Sequence, residues 1–435
     1  MIRVLTYPSK RGEYFLKKLL SRVEEYPAKL ERYVQKIGKE VKKGGDRSLL
    51  EYTKRFDGVE LTPLELKVKE EEIERAYKFI DKELLSAIRY AIQKIKRFHE
   101  KALPLSWFEN YEEGITLGQL VRPVESAGLY IPGGKGGETP LISTVLMTAI
   151  PAKIAGVKRL VMVSPPRADK SLHPALLCAA KEAGVDEIYK VGGPWSIFAL
   201  AFGTESIPKV DIICGPGNIY VTLAKKLVSF QTGIDFLAGP SEVLIIADEK
   251  ANPEFVVWDL LAQAEHDPMS LSILITHSKK LLREVKNLLP EALKKGFRSE
   301  IAKEALKNRG ALILVKSLET AFELSNRIAP EHLEIMTENP EEYLPLVKNA
   351  GAVFLGSYTP EAVGDYIAGP NHVLPTMGLS RFTSSLSAEK FLKKINFVKY
   401  SREALHKEGA LVIKLAEEEN LPSHAEAVRI RIKGE

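Results

Sequence analysis

A carboxylate stands beside an imidazole, Glu331-His332, directly after Ala329-Pro330 in this chain of 435 residues. The ordinary pKa values of the two groups fall on either side of neutrality, so the pair suits acid/base work. The competing reading is a helix-start acid next to an exposed histidine. Gln263 and His266 are three apart on a predicted helix and share a face. Asp365 and His372 flank a predicted loop, Ala368-Gly369-Pro370-Asn371, and His424 lies in a final loop after Glu419. Imidazole, carboxylate and amide oxygen together would suit zinc or a neighbouring divalent ion, although Gln is a rare zinc ligand and the spacing alone is a weak signal. The remaining histidines, His99, His173, His277 and His406, stand in charged or polar stretches and read as surface. The two cysteines, Cys178 and Cys214, exclude a disulfide scaffold and a Cys-based zinc site.

Three glycine turns form a second set. Gly215-Pro216-Gly217-Asn218 follows a predicted strand and opens a predicted helix, where backbone N–H groups can approach an anion. The spacing is not the dinucleotide fingerprint, and no acidic residue closes a second strand about twenty positions on. Tyr130-Ile131-Pro132-Gly133-Gly134 and Gly192-Gly193-Pro194 are turns of the same kind. A tight βα turn explains any one of them. Three within one unit favour a dinucleotide or phosphorylated ligand, held beyond the carboxyl ends of strands.

The elements that must position these groups follow from periodicity. Residues 12–102 read as helical, with apolar stripes at Phe15, Leu19, Val23 and Tyr26 and at Ile88, Ala91, Ile92 and Ile95. Gly44-Gly45-Asp46 interrupts the run and starts a new helix at Asp46. Strands are predicted at 160–163, 188–191 and 210–214, then at 243–247, 271–276, 311–315 and 352–355, with helices between them. This rhythm predicts two Rossmann-like α/β units with parallel sheets. From about 387 the pattern becomes helical and polar, ending in a strand-like stretch over 427–432. Such a tail is too small for a core of its own and should pack on the body or on a partner subunit.

Composition sets the outer bounds. Hydrophobic residues make up 45% and charged residues 27%, an ordinary globular balance that excludes disorder and fibrous repeats. The 62 basic residues nearly cancel the 57 acidic ones and are interspersed with them, so neither nucleic acid nor membrane is expected as a partner. No apolar run approaches the roughly 18 residues of a membrane span, and the Lys- and Glu-rich opening is not a signal peptide. The expected location is the cytoplasm.

Taken together, several segments resemble the L-histidinol dehydrogenase family over nearly the whole chain. They are Gly128-Leu129-Tyr130-Ile131-Pro132-Gly133-Gly134, Pro151-Ala152-Lys153-Ile154-Ala155-Gly156, Gly215-Pro216-Gly217-Asn218, Ala238-Gly239-Pro240-Ser241-Glu242-Val243, Gln263-Ala264-Glu265-His266, Pro330-Glu331-His332-Leu333, Gly364-Asp365-Tyr366 and Asn371-His372-Val373-Leu374-Pro375. The resemblance implies a zinc- and NAD-dependent oxidation of L-histidinol to L-histidine through the aldehyde, the last steps of histidine biosynthesis. It implies Gln263, His266, Asp365 and His424 as zinc ligands and Glu331 and His332 as proton acceptors. Substrate contacts would be Ser241, His372 and Glu419, with His332 and the four zinc ligands. Tyr130 and Asn218 would contact NAD. The family commonly reads Gly-Gly-Ala-Gln where this chain has Gly192-Gly193-Pro194-Trp195. Trp195 cannot replace an amide donor and acceptor, but it could stack on a ring.

The resemblance further implies a homodimer with shared active sites. It divides the chain into an N-terminal arm (1–24), a discontinuous catalytic α/β domain (25–128 and 241–386), an NAD-binding α/β domain (129–240) and a C-terminal tail (387–435) docking on the partner. Two readings compete. One is a related zinc- and NAD-dependent dehydrogenase of another small polar alcohol. The other is a non-catalytic nucleotide-binding homologue, which would predict erosion at Glu331, His332 or the zinc set.

Overall fold

A computed structural model describes residues 2–24, 28–296 and 298–433. The chain divides into two units, one formed by Met1–Ala102 and Glu125–Phe391 and the other by Leu103–Val124 and Leu392–Glu435.

The first unit holds two parallel sheets. One has six strands in the order Arg3–Thr6, Ala311–Leu314, Leu271–Thr276, Glu242–Ala247, His332–Met336 and Ala352–Leu355. Its central strands, such as Glu242–Ala247 and Leu271–Thr276, are buried at every position, as expected when helices cover both faces. The other has five strands in the order Glu187–Lys190, Arg159–Ser164, Ser126–Tyr130, Ile212–Cys214 and Gly233–Ile234. The expected α/β architecture with Rossmann-like units is present. The strands predicted between 160 and 355 all form, with ends shifted by a residue or two.

Chain order does not match the expected grouping at the N-terminus. The stretch expected as an arm pairs through Arg3–Thr6 with Ala311–Leu314 and so is an edge strand of the six-stranded sheet. Residues of the stretch 34–66, expected with the catalytic domain, instead share a core with the five-stranded sheet: Val34, Ile37, Leu49 and Leu66 pack with Val161, Val191 and Ile213. The long helix Ala28–Asp57 that carries most of these residues breaks at Gly45, whose φ is +51°. Asp46 restarts it: its side chain accepts from the Ser206 amide at 3.2 Å, and its amide donates to Glu205 at 2.7 Å. Leu19 of the first predicted stripe is buried, whereas Tyr26 and the side chain of Val23 lie outside the described residues.

His99 is a correction. It is only 1% exposed, not a surface group. It lies four residues beyond Ile95 on the helix Lys82–Lys101 and so continues the buried stripe of Ile88, Ala91 and Ile95.

The second unit contains a three-stranded antiparallel sheet in the order Leu392–Tyr400, Ile115–Pro123 and Trp107–Glu112. Two helices follow, Arg402–Glu418 and Pro422–Ile432. The expectation of a purely helical stretch after 387 missed the strand Leu392–Tyr400. The expected strand over 427–432 is a helix, because Pro422 at its start and the packing of Ile432 beside Gly409 favour the helical hairpin over local β-propensity.

Candidate active site

Glu331 and His332 begin a buried strand, not a helix. His332 pairs in register with Val243 and Ala352, so its backbone is fixed on both sides. Its ring is 3% exposed. Nδ1 lies 3.0 Å from the backbone oxygen of Glu242, which can only accept. Donation to that oxygen puts the proton of the neutral ring on Nδ1 and the lone pair on Nε2; the Gln263 amide nitrogen, 3.1 Å from Nδ1, then makes no hydrogen bond to it. Nε2 is buried without a hydrogen-bond partner among the described residues. Burial, followed by smaller opposing and assisting contributions, pushes the imidazole down to about 3, so it is neutral at physiological pH.

Glu331 Oε2 accepts the Glu242 amide at 2.8 Å and lies 3.7 Å from His332 Nδ1. Burial holds this carboxyl well above the usual carboxylate range. Both catalytic candidates thus hang on the two peptide groups of Glu242. The Glu242 side chain is in turn clamped by Arg22, with Nε to Oε1 at 2.8 Å and Nη2 to Oε2 at 3.3 Å.

Helix-borne groups converge on the same place. Gln263 lies in the last turn of the helix Pro253–Ala264 and is fully buried, whereas His266, expected on the same helix, falls in the turn beyond its end. Its Nε2 is 3.1 Å from His332 Nδ1, and its Oε1 has no partner among the described residues. Asp365, on Glu361–Tyr366, brings Oδ1 to 3.9 Å from His332 Nε2. Burial pushes it up to about 6, opposed by the charge of His266. Burial lowers the His266 imidazole from its ordinary value, and the charge of Asp365 opposes that shift. His332, Glu361 and Asp365 each offer an atom within 4.8 Å of the others, a cluster that could hold a metal ion. His372 sits on a loop pinned by Asn371, which donates to Met147 O at 2.6 Å and accepts from Val373 N at 2.8 Å. Its Nε2 is also unpartnered among the described residues, and burial holds the ring at about 4. Ser241 precedes the strand that Glu242 begins.

The location departs from the rule that ligands gather at carboxyl ends of strands. Glu242 and His332 are first residues of their strands, and Gln263 lies in the last turn of a crossover helix that runs back toward the amino ends. The reacting groups therefore occupy the amino edge of the six-stranded sheet.

The glycine turns obey the rule. Tyr130, Pro165, Gly193 and Asn218 follow or end four strands of the five-stranded sheet and line a cavity of about 640 Å³. Gly215 has φ +122°, and a Cβ there would lie 2.1 Å from the Tyr130 carbonyl oxygen, so only glycine fits. A buried Lys225–Asp235 ion pair staples this turn: Lys225 donates to Gly215 O at 3.0 Å and Asp235 accepts from Gly215 N at 2.8 Å. Asn218 caps its helix, with Oδ1 accepting from the amides of Tyr220 and Val221, which leaves its amide nitrogen for a ligand.

A sequence model of the family described as histidinol dehydrogenase matches residues 20–432. The chain belongs to the histidinol dehydrogenase family. It is 52% identical to the histidinol dehydrogenase of Carboxydothermus hydrogenoformans, covering 93% of this chain and 95% of that one. It is 53% identical to that of Methanocaldococcus jannaschii, covering 92% of each. The crystal structure of histidinol dehydrogenase from Elizabethkingia anophelis superposes with a TM-score of 0.93 at 39% identity, covering 99% of this chain and 98% of that one.

For this histidinol dehydrogenase family member, the first unit gathers Gln263, His266, Asp365, Glu331, His332 and His372. Glu419 and His424 belong to the second unit, at the end of one helix and in the first turn of the next. Both are exposed and make no described side-chain hydrogen bond or ion pair. Trp195 lines the cavity yet is only 4% exposed. Its ring stacks on Tyr52 and Phe56 at 5.6 and 5.4 Å. Sequence reasoning missed Glu361, whose signal was its i, i+4 spacing to Asp365 on one helix face. It also missed Arg22 and Asp57, which lie far in sequence from the groups they serve and carry no local signal.

Proposed function

We propose that the chain oxidises L-histidinol to L-histidine through L-histidinaldehyde, with zinc and two NAD, in the last steps of histidine biosynthesis in the cytoplasm. The observation that carries this reading is the neutral His332, with its unpartnered Nε2, set beside Glu331 among nitrogen and oxygen donors.

The donor set fits zinc. Gln263 Oε1 is buried and unpaired among the described residues, and Gln263 and Asp365 both approach the His332 ring, at 3.1 and 3.9 Å. Oxygen and imidazole ligands suit this borderline ion. Gln263, His266 and Asp365 with His424 would hold it, and when bound it would fix the substrate through its imidazole and amine. His332 Nε2 takes the proton of the alcohol as hydride leaves for the nicotinamide. Glu331 takes a proton from the water that adds to the aldehyde, while protonated His332 returns its proton to the aldehyde oxygen and is free to accept again. The resulting gem-diol loses a second hydride, again with its proton passing to His332, and the acid forms. Burial of both groups keeps the reactive aldehyde away from bulk water. Ser241, His372 and Glu419 hold the substrate, with the Glu419 carboxylate accepting a hydrogen bond from its amine. Tyr130 and Asn218 contact NAD in the cavity, and Trp195 forms its wall.

The active sites are shared in a homodimer, each taking Glu419 and His424 from a second copy. Supporting this, the second unit exposes Trp107, Phe108, Tyr111, Val398, Leu411 and Leu415, more large apolar surface than a solvated unit needs.

Purified protein should form two NADH per histidinol and contain one zinc per chain by metal analysis. Active enzyme without bound metal, or no NADH from histidinol with zinc supplied, would overturn the reading.

A further inference from the structure

The cavity at the carboxyl ends of the five-stranded sheet has one ionisable acid in its wall and, among the described lining residues, no Lys or Arg. That acid is Asp57, the last residue of the helix Ala28–Asp57. The position is unfavourable for a carboxylate, because the last turn of a helix carries partial negative charge. Asp57 Oδ2 is buried without a hydrogen-bond partner among the described residues. Burial alone pushes the group up to about 6, with no cation opposing it. Arg55, two residues away, lies over the Phe56 ring at 5.1 Å and does not line the cavity. Among the described residues nothing therefore compensates this carboxylate, whereas a ligand with two adjacent hydroxyls would.

The surroundings fit a nucleoside. Tyr33 and Tyr220 meet edge to face at 6.3 Å, and with Phe56 and Trp195 they give the wall flat apolar surface for a base. Asn218 and the glycine turns supply N–H groups for phosphate. No lining residue belongs to the cluster around His332, so the end of a dinucleotide held here is the one remote from the reacting carbon.

We propose that Asp57 binds the 2′- and 3′-hydroxyls of the adenosine ribose and so selects NAD against cofactors phosphorylated at the 2′ position. The inference rests on the reading that this cavity takes NAD. A carboxylate accepts from both hydroxyls of a diol, while a 2′-phosphate would meet like charge with no lining cation to neutralise it.

The test is titration of the purified, zinc-loaded protein with NAD, NADP and the 2′-deoxyadenosine analogue of NAD, followed by tryptophan fluorescence and by calorimetry. Wild type should bind NAD at least tenfold more tightly than the other two, the loss expected for charge-assisted hydrogen bonds. Asp57→Asn should bind NAD roughly tenfold more weakly and show little difference between NAD and its 2′-deoxy analogue. Its thermal midpoint should equal or exceed that of wild type, since an unpaired buried charge is removed. If Asp57→Asn keeps both the affinity and the full 2′-hydroxyl discrimination, Asp57 does not hold the ribose. If wild type binds NAD but does not distinguish the analogues, the selection is refuted while the cavity assignment stands. Failure of wild type to bind NAD at all would instead remove the cavity assignment, and this inference with it.

Discussion

Arg22→Met should unseat the catalytic pair without touching it. Arg22 and Glu242 are paired where both side chains are essentially inaccessible, 2% and 0% exposed. Arg22 also donates to the carbonyls of Leu19 and Ile328 at 3.0 and 2.9 Å. Truncating one partner leaves Glu242 as a buried, unpaired carboxylate, which costs about 3–5 kcal/mol. At a slope of about 3 kcal/mol per molar urea, that lowers the unfolding midpoint by roughly 1 to 1.7 M. Because the Glu242 peptide groups hold Glu331 Oε2 and His332 Nδ1, the folded variant should also lose turnover, by roughly tenfold in kcat with KM for NAD unchanged. The double variant Arg22→Met/Glu242→Gln removes the stranded charge and should regain most of the stability. Urea unfolding followed by circular dichroism, with turnover measured on the same samples, gives both readings. A single variant that loses less than about 1 kcal/mol, or a double variant no more stable than the single one, would show that the ion pair is not what holds this edge.

Other predictions follow from the same geometry. His332→Asn should lower kcat for both alcohol and aldehyde by roughly 10² or more, whereas Glu331→Gln should slow mainly the step that uses water; normal oxidation of supplied aldehyde by Glu331→Gln would refute its role. His99 is buried with both ring nitrogens unpartnered among the described residues and is held at about 4 by desolvation, so the unfolded chain binds its proton first. Stability should be complete above pH 6.5 and decline by about 3 kcal/mol as pH falls to 4, and His99→Leu should flatten that slope in urea midpoints measured across the range. Chains carrying His424→Ala and chains carrying His332→Asn should each be inactive but regain partial turnover when co-folded; mixed dimers that form and stay inactive would place both groups in one chain.

The sequence made the parallel strands legible because buried β-branched runs such as 243–247 are unambiguous at this length. It also made Glu331, His332, Gln263, His266 and Asp365 legible as groups able to do chemistry. Their meeting was not legible. It depends on the amino edge of a sheet whose neighbours, Glu242–Ala247 and His332–Met336, are separated by a crossover of some ninety residues. The surface reading of His99 failed because local polarity outweighed the helical phase of Ile95, although the phase carried the information. The helix Pro422–Ile432 was missed because Val428, Ile430 and Ile432 alternate as a strand would, and only the hairpin with Arg402–Glu418 decides between the two. Residues that act at long range, Arg22 on Glu242 and Asp57 in the cavity wall, have no sequence signature. Their roles exist only once the tertiary contacts do.

Burial acts on the catalytic pair in opposite directions with one outcome. It lowers the His332 imidazole and raises the Glu331 carboxyl, so in the unliganded protein it disfavours the charged form of both side chains. The consequences for the two groups differ. A neutral imidazole with its proton fixed on Nδ1 by Glu242 is already a proton acceptor at Nε2, ready for the alcohol. Only the carboxylate form of Glu331 is a base, and positive charge in the site favours that form. The imidazolium that His332 becomes on taking the alcohol proton brings such charge, with Nδ1 3.7 Å from Glu331 Oε2, and it favours the carboxylate form of Glu331 through the same low-dielectric surroundings that had suppressed it. The burial that separates the two groups from water thus makes the imidazole competent at once and favours the carboxylate once the alcohol proton has passed to His332. That is the order in which an alcohol oxidation followed by addition of water would call on them.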